Sequence, residues 1–298
     1  MDYNNIGKVI FLFRKQKKIS RSDLCSGICS EKQLYRIETL KSIPSIYLIQ
    51  QLSYRLGVNL TSYLTYSFCE NPIYVTQKIK EIESHYLNRN YIEVIKCIQM
   101  FDKNYYKYLE IEQIMRWYET IAMSNENLID LSYDILLKLL AMSTNKSLIE
   151  LCTSYLTDNE LRITHSIISL YCKKGDYKSA KHLLIPLIKN LENLHYTKNN
   201  SIYLQLLYNL SKLYYIEKKY SDSIHTAKTG INFCRTNNFL HILPDFFYIY
   251  GQCYEASGDI SKAIEYFRYF IYLYEIQGHN IYSEKCKKDL IEKYSDII

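Results

Sequence analysis

Two cysteines four residues apart, Cys25 and Cys29, lie in the polar stretch SRSDLCSGICSEKQLYRIE, Ser20 to Glu38. A thiolate pair could open a tetrahedral zinc site, but zinc needs two further Cys or His ligands. Residues 1–62 contain no histidine and no third cysteine. Elsewhere the nine cysteines form no CxxC pair, and the seven histidines are scattered with no Cys or Asp at a motif spacing. No GxGxxG, P-loop, HExxH or GxSxG is present. No catalytic residue, metal ligand or cofactor is expected, and the chain is not read as an enzyme. The same stretch supports another chemistry. Arg and Lys can bond guanine edges, Gln can bond adenine, and Glu can accept from the cytosine amino group.

Such side chains act only if a helix presents them. Val9, Leu12 and Phe13 mark an apolar stripe that ends in RKQKK. Ser20 offers an N-cap with Asp23 three residues on, and Ser30 repeats the device with Gln33. About two turns of helix and a corner containing Gly27 fit between them, the spacing of a helix-turn-helix. On the second capped helix Leu34 and Ile37 share a face with Glu38, while Lys32, Tyr35, Arg36 and Thr39 point away.

Charge is concentrated in the same place. Residues 1–62 carry ten of the chain's 37 basic residues and four of its 31 acids, which leaves 27 of each beyond. A basic head on a neutral body points to an anionic partner for the head. The alternative, a head used only for dimerisation or docking, does not explain six excess positive charges.

The stretch LFRKQKKISRSDLCSGICSEKQLYRIETLKSIPS, with LIQQLSYRLGVNL after it, resembles the helix-turn-helix of the Xre and phage-repressor group. The resemblance implies that Arg14 and Glu38 form a partly buried ion pair locking the first helix to the third. It makes Arg21, Ser30, Glu31, Lys32, Gln33, Tyr35 and Arg36 the candidate DNA-binding residues. Leu40 departs from the family's usual glycine, and Arg21 from its usual glutamine.

The rest of the chain is read as helical too. Eight glycines and four prolines are too few for a sandwich or barrel, whereas 32 tyrosines suit large helix interfaces. Nothing approaches the roughly 18 apolar residues of a membrane span. The run VIFLF is followed, not preceded, by its positive charges, the wrong order for a secretory signal. A cytoplasmic protein with reduced cysteines and no membrane partner is expected. Pro72 and the loss of charge bias place a linker at 67–73, between a head at 1–66 and a body at 74–298.

The body repeats. SIISLYCKKGDYKSAKHLL (166–184), NLSKLYYIEKKYSDSIHTA (209–227) and IYGQCYEASGDISKAIEYF (249–267) align Tyr171/Tyr214/Tyr254, Gly175/Lys218/Gly258 and Ala180/Ser223/Ala263. They resemble the tetratricopeptide repeat, in which stacked helix pairs form a right-handed superhelix with a concave groove. HYLNRNYIEVIKCIQ (85–99) looks like the tail of an earlier repeat, and 280–294 like the closing helix. With Leu210 and Tyr214 facing the repeat core, helix phase turns Gln205, Tyr208, Asn209, Lys212 and Tyr215 the other way. Arg162, His165, Ser169 and Cys172 are their equivalents one repeat earlier, and Asp245, Tyr248, Gln252 and Glu255 one repeat later.

An Xre-type head on such a body resembles the RRNPP regulators, and most closely their PlcR-like members. The resemblance implies an all-α quorum-sensing transcription regulator, a homodimer on a palindromic operator, whose groove takes a short linear signalling peptide. It makes Arg89, His165, Gln205, Tyr208, Asn209, Lys212, Tyr248, Gln252 and Tyr282 the candidate peptide-binding residues. The competing reading keeps the DNA-binding head but has the repeats dock a protein partner, or only dimerise, without a peptide.

Overall fold

The computed structural model describes residues 5–124, 129–194, 201–278 and 280–294, the last without the side chains of 280–282. Every regular element among them is helical. The chain forms two compact units, one up to Met123 and one from Ser124 onward. Among the described residues no helix is long and apolar enough to cross a membrane.

The first unit opens with α1 (Ile6–Gln16), α2 (Arg21–Cys25), α3 (Glu31–Glu38) and α4 (Ile46–Leu56). Ser20, Ser30 and Ser45 cap α2, α3 and α4, each hydroxyl accepting from a backbone N–H three residues on. Gly27 turns the corner between α2 and α3 at φ +70°, so this short helical pair is built as its sequence indicates. Ile6, Val9, Ile10, Leu24, Leu34, Ile37, Ile49 and Leu52 close one apolar core beneath it. Gly7 permits the tight crossing of α1 and α3, since a Cβ there would lie 1.9 Å from the Ile37 carbonyl oxygen.

A 3-10 turn (Leu60–Tyr63), α5 (Pro72–Leu87), α6 (Tyr91–Gln99), a second 3-10 turn (Lys103–Lys107) and α7 (Leu109–Met123) complete this unit. Residues 67–73, expected to be a linker, are packed into it. The Ser67 carbonyl accepts from the Asn5 N–H at 2.6 Å. Cys69 is fully buried, Phe68 meets the Tyr108 ring edge-on, and Ile73 packs against the apolar core of the head. Apolar side chains at 68, 69 and 73 give this segment a core to join, and the compact unit runs on to Met123.

The second unit comprises α8 (Ile129–Ala141), α9 (Leu148–Cys152), α10 (Asp158–Lys173), α11 (Tyr177–Asn193), α12 (Ser201–Ile216), α13 (Tyr220–Asn237), a 3-10 turn (Leu240–Ile242), α14 (Leu243–Ala256), α15 (Ile260–Ile276) and α16 (Asn280–Tyr294). Three antiparallel pairs, α10/α11, α12/α13 and α14/α15, stack so that α12 touches both α10 and α14. Their turns share one conformation: Gly175, Lys218 and Gly258, aligned above by sequence, all have φ between +59° and +87°. Ala180, Ser223 and Ala263, on the second helix of each pair, are all fully buried. Ser223 exchanges 2.8 Å hydroxyl-to-carbonyl bonds with Ser211, so a polar residue sits at the small-residue position without an orphaned hydroxyl.

The third helix and the candidate face of the repeats

Two interactions lock α3 to α1. The Arg14 guanidinium grips the Glu38 carboxylate with both arms, Nε to Oε1 at 2.5 Å and Nη2 to Oε2 at 2.9 Å. Its remaining arm donates to the Ile19 carbonyl at 3.0 Å. The pair is buried outright, at 5 % and 1 % side-chain exposure, further than the partial burial expected. A bidentate pair of this kind fixes orientation as well as proximity.

Arg21, grouped by its sequence position with the base readers, is drawn into the same network. Its Nε donates to Glu38 Oε2 at 2.6 Å, and its guanidinium lies 5.0 Å from the centre of the Tyr35 ring. One carboxylate therefore holds two arginines, and Arg21 buttresses α3. Ser30 is likewise committed, accepting from the Gln33 N–H. Glu31, Lys32, Gln33, Tyr35 and Arg36 remain exposed on one surface of α3, while Leu34, Ile37 and Glu38 face inward. Cys25 is buried, and burial together with its neighbour Cys25 pushes the Cys29 thiol up. Neither belongs to a metal-type cluster among the described residues.

The repeat candidates converge in part. His165 and Ser169 on α10 meet Asn209 on α12: the Asn209 Nδ2 donates to Ser169 Oγ at 3.3 Å and lies 3.5 Å from His165 Nε2. His165 is buried, and burial, aided by the nearby Arg162 charge, pushes its pKa down to about 4. It is therefore a neutral hydrogen-bonding group at ordinary pH. Burial pushes the Cys172 thiol up to about 11 against the pull of the Lys212 charge, and Lys212 itself is exposed on α12. Gln205 and Gln252 are half-buried on α12 and α14.

Other candidates have different surroundings. The Tyr248 ring packs against Phe267 and Phe270 of α15, and Tyr208 meets Phe246 edge-on, so both aromatic groups already have apolar partners. Arg89 belongs to the first unit, in the α5–α6 turn, where its φ of +57° makes it the counterpart of Gly175 and Gly258. The side chain of Tyr282 lies outside the described residues. Phase alone separates inward from outward positions, but it does not reveal that a large outward ring will fold back on the next helix.

Comparisons with known proteins agree with this architecture. The PlcR of Bacillus thuringiensis in complex with the peptide PapR7 and DNA superimposes with a TM-score of 0.78 at 19 % identity, over 95 % of this chain and 99 % of that one. The apo form of that PlcR gives 0.59 at 19 % identity, covering 96 % and 98 %. ComR of S. thermophilus, in complex with DNA and its signalling peptide ComS, gives 0.51 at 16 % identity, covering 96 % and 99 %. No curated protein sequence matches significantly. The family model describing the RNPP family C-terminal domain matches residues 79–294, most of the chain, and the protein therefore belongs to the RNPP family.

Proposed function

We propose that this protein is a quorum-sensing transcription regulator that binds a palindromic operator as a homodimer and is switched by a short linear peptide held along α10, α12 and α14. The observation that carries this reading is the pairing of two features in one chain. One is an outward Glu31–Lys32–Gln33–Tyr35–Arg36 face on a helix clamped by Arg14 and Glu38. The other is a repeat region matched to the RNPP family over 79–294. The solved PlcR and ComR complexes, each holding DNA and a peptide, support it further. In this reading the protein acts in the cytoplasm, where its operator is, and performs no catalysis.

The Asn209 amide suits a peptide backbone, because it offers both a donor and an acceptor. Its donor already bonds Ser169, so a peptide exchanges that bond instead of finding a bare group. The expected cost of Asn209→Ala is therefore a net hydrogen bond, about 0.5–1.5 kcal/mol in peptide affinity. The test is a fluorescence-anisotropy titration of labelled operator, with and without peptide from the producing cell's medium, for wild type and Asn209→Ala. Peptide should change operator binding by wild type, and Asn209→Ala should need several-fold more of it. An identical peptide response in both proteins removes Asn209 from the site. No response by wild type to any such peptide favours repeats that dock a protein.

A further inference from the structure

Three side chains that the sequence leaves scattered come together on the α5–α6 hairpin. Glu81 and His85 lie one turn apart on α5, and α6 returns antiparallel to bring Cys97 against them. One ligand atom from each lies within 4.8 Å of the other two, and Cys97 Sγ is 3.7 Å from Glu81 Oε1. Ligand atoms of a tetrahedral zinc site, at about 2.0–2.3 Å from the metal, are about 3.3–3.8 Å apart. The Cys–Glu edge already has that length, and a ring nitrogen of His85 lies within 4.8 Å of both other ligand atoms.

We propose that Glu81, His85 and Cys97 form a binding site for a thiophilic divalent cation of the Zn2+ class, with its fourth position open to water. Thiolate and imidazole select such ions over Mg2+ or Ca2+, which favour all-oxygen sets. Three protein ligands with an open position is a recurrent arrangement for zinc. Cys97 forms the buried wall of the site, and Glu81 and His85 form its accessible rim. Lys78 bonds the other carboxylate oxygen, Glu81 Oε2 at 2.8 Å, which leaves Oε1 facing Cys97. The bound ion would join α5 to α6 through side chains from both helices.

The test uses the full-length protein, reduced and metal-free, with Co2+ as the probe. Wild type should develop a thiolate-to-cobalt charge-transfer band in the near ultraviolet that saturates at one equivalent and is bleached by Zn2+. Cys97→Ala should abolish the band. His85→Ala and Glu81→Gln, at half-buried and exposed positions, should retain the fold by circular dichroism. Each should weaken Co2+ binding by more than the roughly 10–100-fold typical of a mere supporting residue. A band that survives Cys97→Ala overturns the site, since the thiolate would then come from another of the nine cysteines. So does a wild type without the band. Should Cys97→Ala fail to fold, unchanged Co2+ affinity in His85→Ala overturns it equally.

Discussion

Replacing Glu38 by alanine removes one carboxylate and strands two cations unequally. Arg14, at 5 % side-chain exposure, loses both arms of its bidentate pair and keeps only the Ile19 carbonyl. Arg21, at 31 %, can turn toward water. Breaking a buried pair by removing one partner costs about 3–5 kcal/mol, and the Arg14 burial places Glu38→Ala in that range. Arg21→Ala leaves the Arg14–Glu38 pair whole and should cost about 1 kcal/mol or less. The single tryptophan, Trp117, is buried in the same unit against Tyr86 and Tyr118, so its fluorescence reports unfolding there. With a urea slope of about 2 kcal/mol/M, the Glu38→Ala midpoint should fall by about 1.5–2.5 M and that of Arg21→Ala by at most about 0.5 M. Hydrogen exchange at the amides of α1 and α3 should rise in step. A Glu38→Ala midpoint within about 0.3 M of wild type, or an Arg21→Ala that proves the more damaging, would show that the buried pair does not hold α3.

Gly7→Ala pushes a methyl group into the Ile37 carbonyl, a backbone atom that cannot swing aside. It should cost about 1–3 kcal/mol or more by the same Trp117 readout. Lys218→Gly should stabilise the second unit in a thermal melt. It relieves about 1–2 kcal/mol of left-handed strain at φ +59° against the roughly 0.4–1 kcal/mol of extra unfolded-state freedom that glycine brings. His165, with its pKa depressed from 6.5 to about 4, contributes stability that is complete above pH 6.5 and is lost as pH falls toward 4. That loss amounts to about 3 kcal/mol at its fullest. Urea titrations at pH 7 and pH 5 should show it for wild type, and His165→Asn should show much less.

The features legible in the sequence are those governed by local rules. A serine before a helix with its third residue on in reach identifies a cap, and Ser20 and Ser30 behave that way. Lys218 could be matched to Gly175 and Gly258 because all three occupy the same place in a repeat, and one backbone conformation serves them all. The Arg14–Glu38 pair followed from family resemblance, not from spacing. Illegible features depend on where long or flexible groups end. Nothing in the spacing of Arg21 says that its guanidinium will reach Glu38 on another helix, or that Tyr248 will lie on Phe267 and Phe270. Cys97 and His85 are twelve positions apart on different helices, a relation that only the turn at Arg89 creates.

A charge count overstates what the head offers to a partner. Arg14 and Arg21 are spent on Glu38. Lys17 donates to the Leu56 carbonyl at the end of α4, and Arg55 to the Asp23, Leu24 and Ser26 carbonyls at the end of α2. Cations placed on the last carbonyls of a helix satisfy acceptors that lack an intrahelical partner and complement the helix dipole. Four of the ten basic residues thus hold helices together, and the exposed Lys8, Lys15, Lys18, Lys32, Arg36 and Lys41 are left to face solvent. Under the proposed function the two roles depend on each other. A helix that reads bases discriminates them only if its axis is fixed, and in that reading the fixing is done by cations a formal count would assign to DNA. Removing Arg55 or Arg14 should then weaken operator binding in the anisotropy titration through the geometry of α3 and its neighbours, even though neither side chain belongs to the outward face of α3.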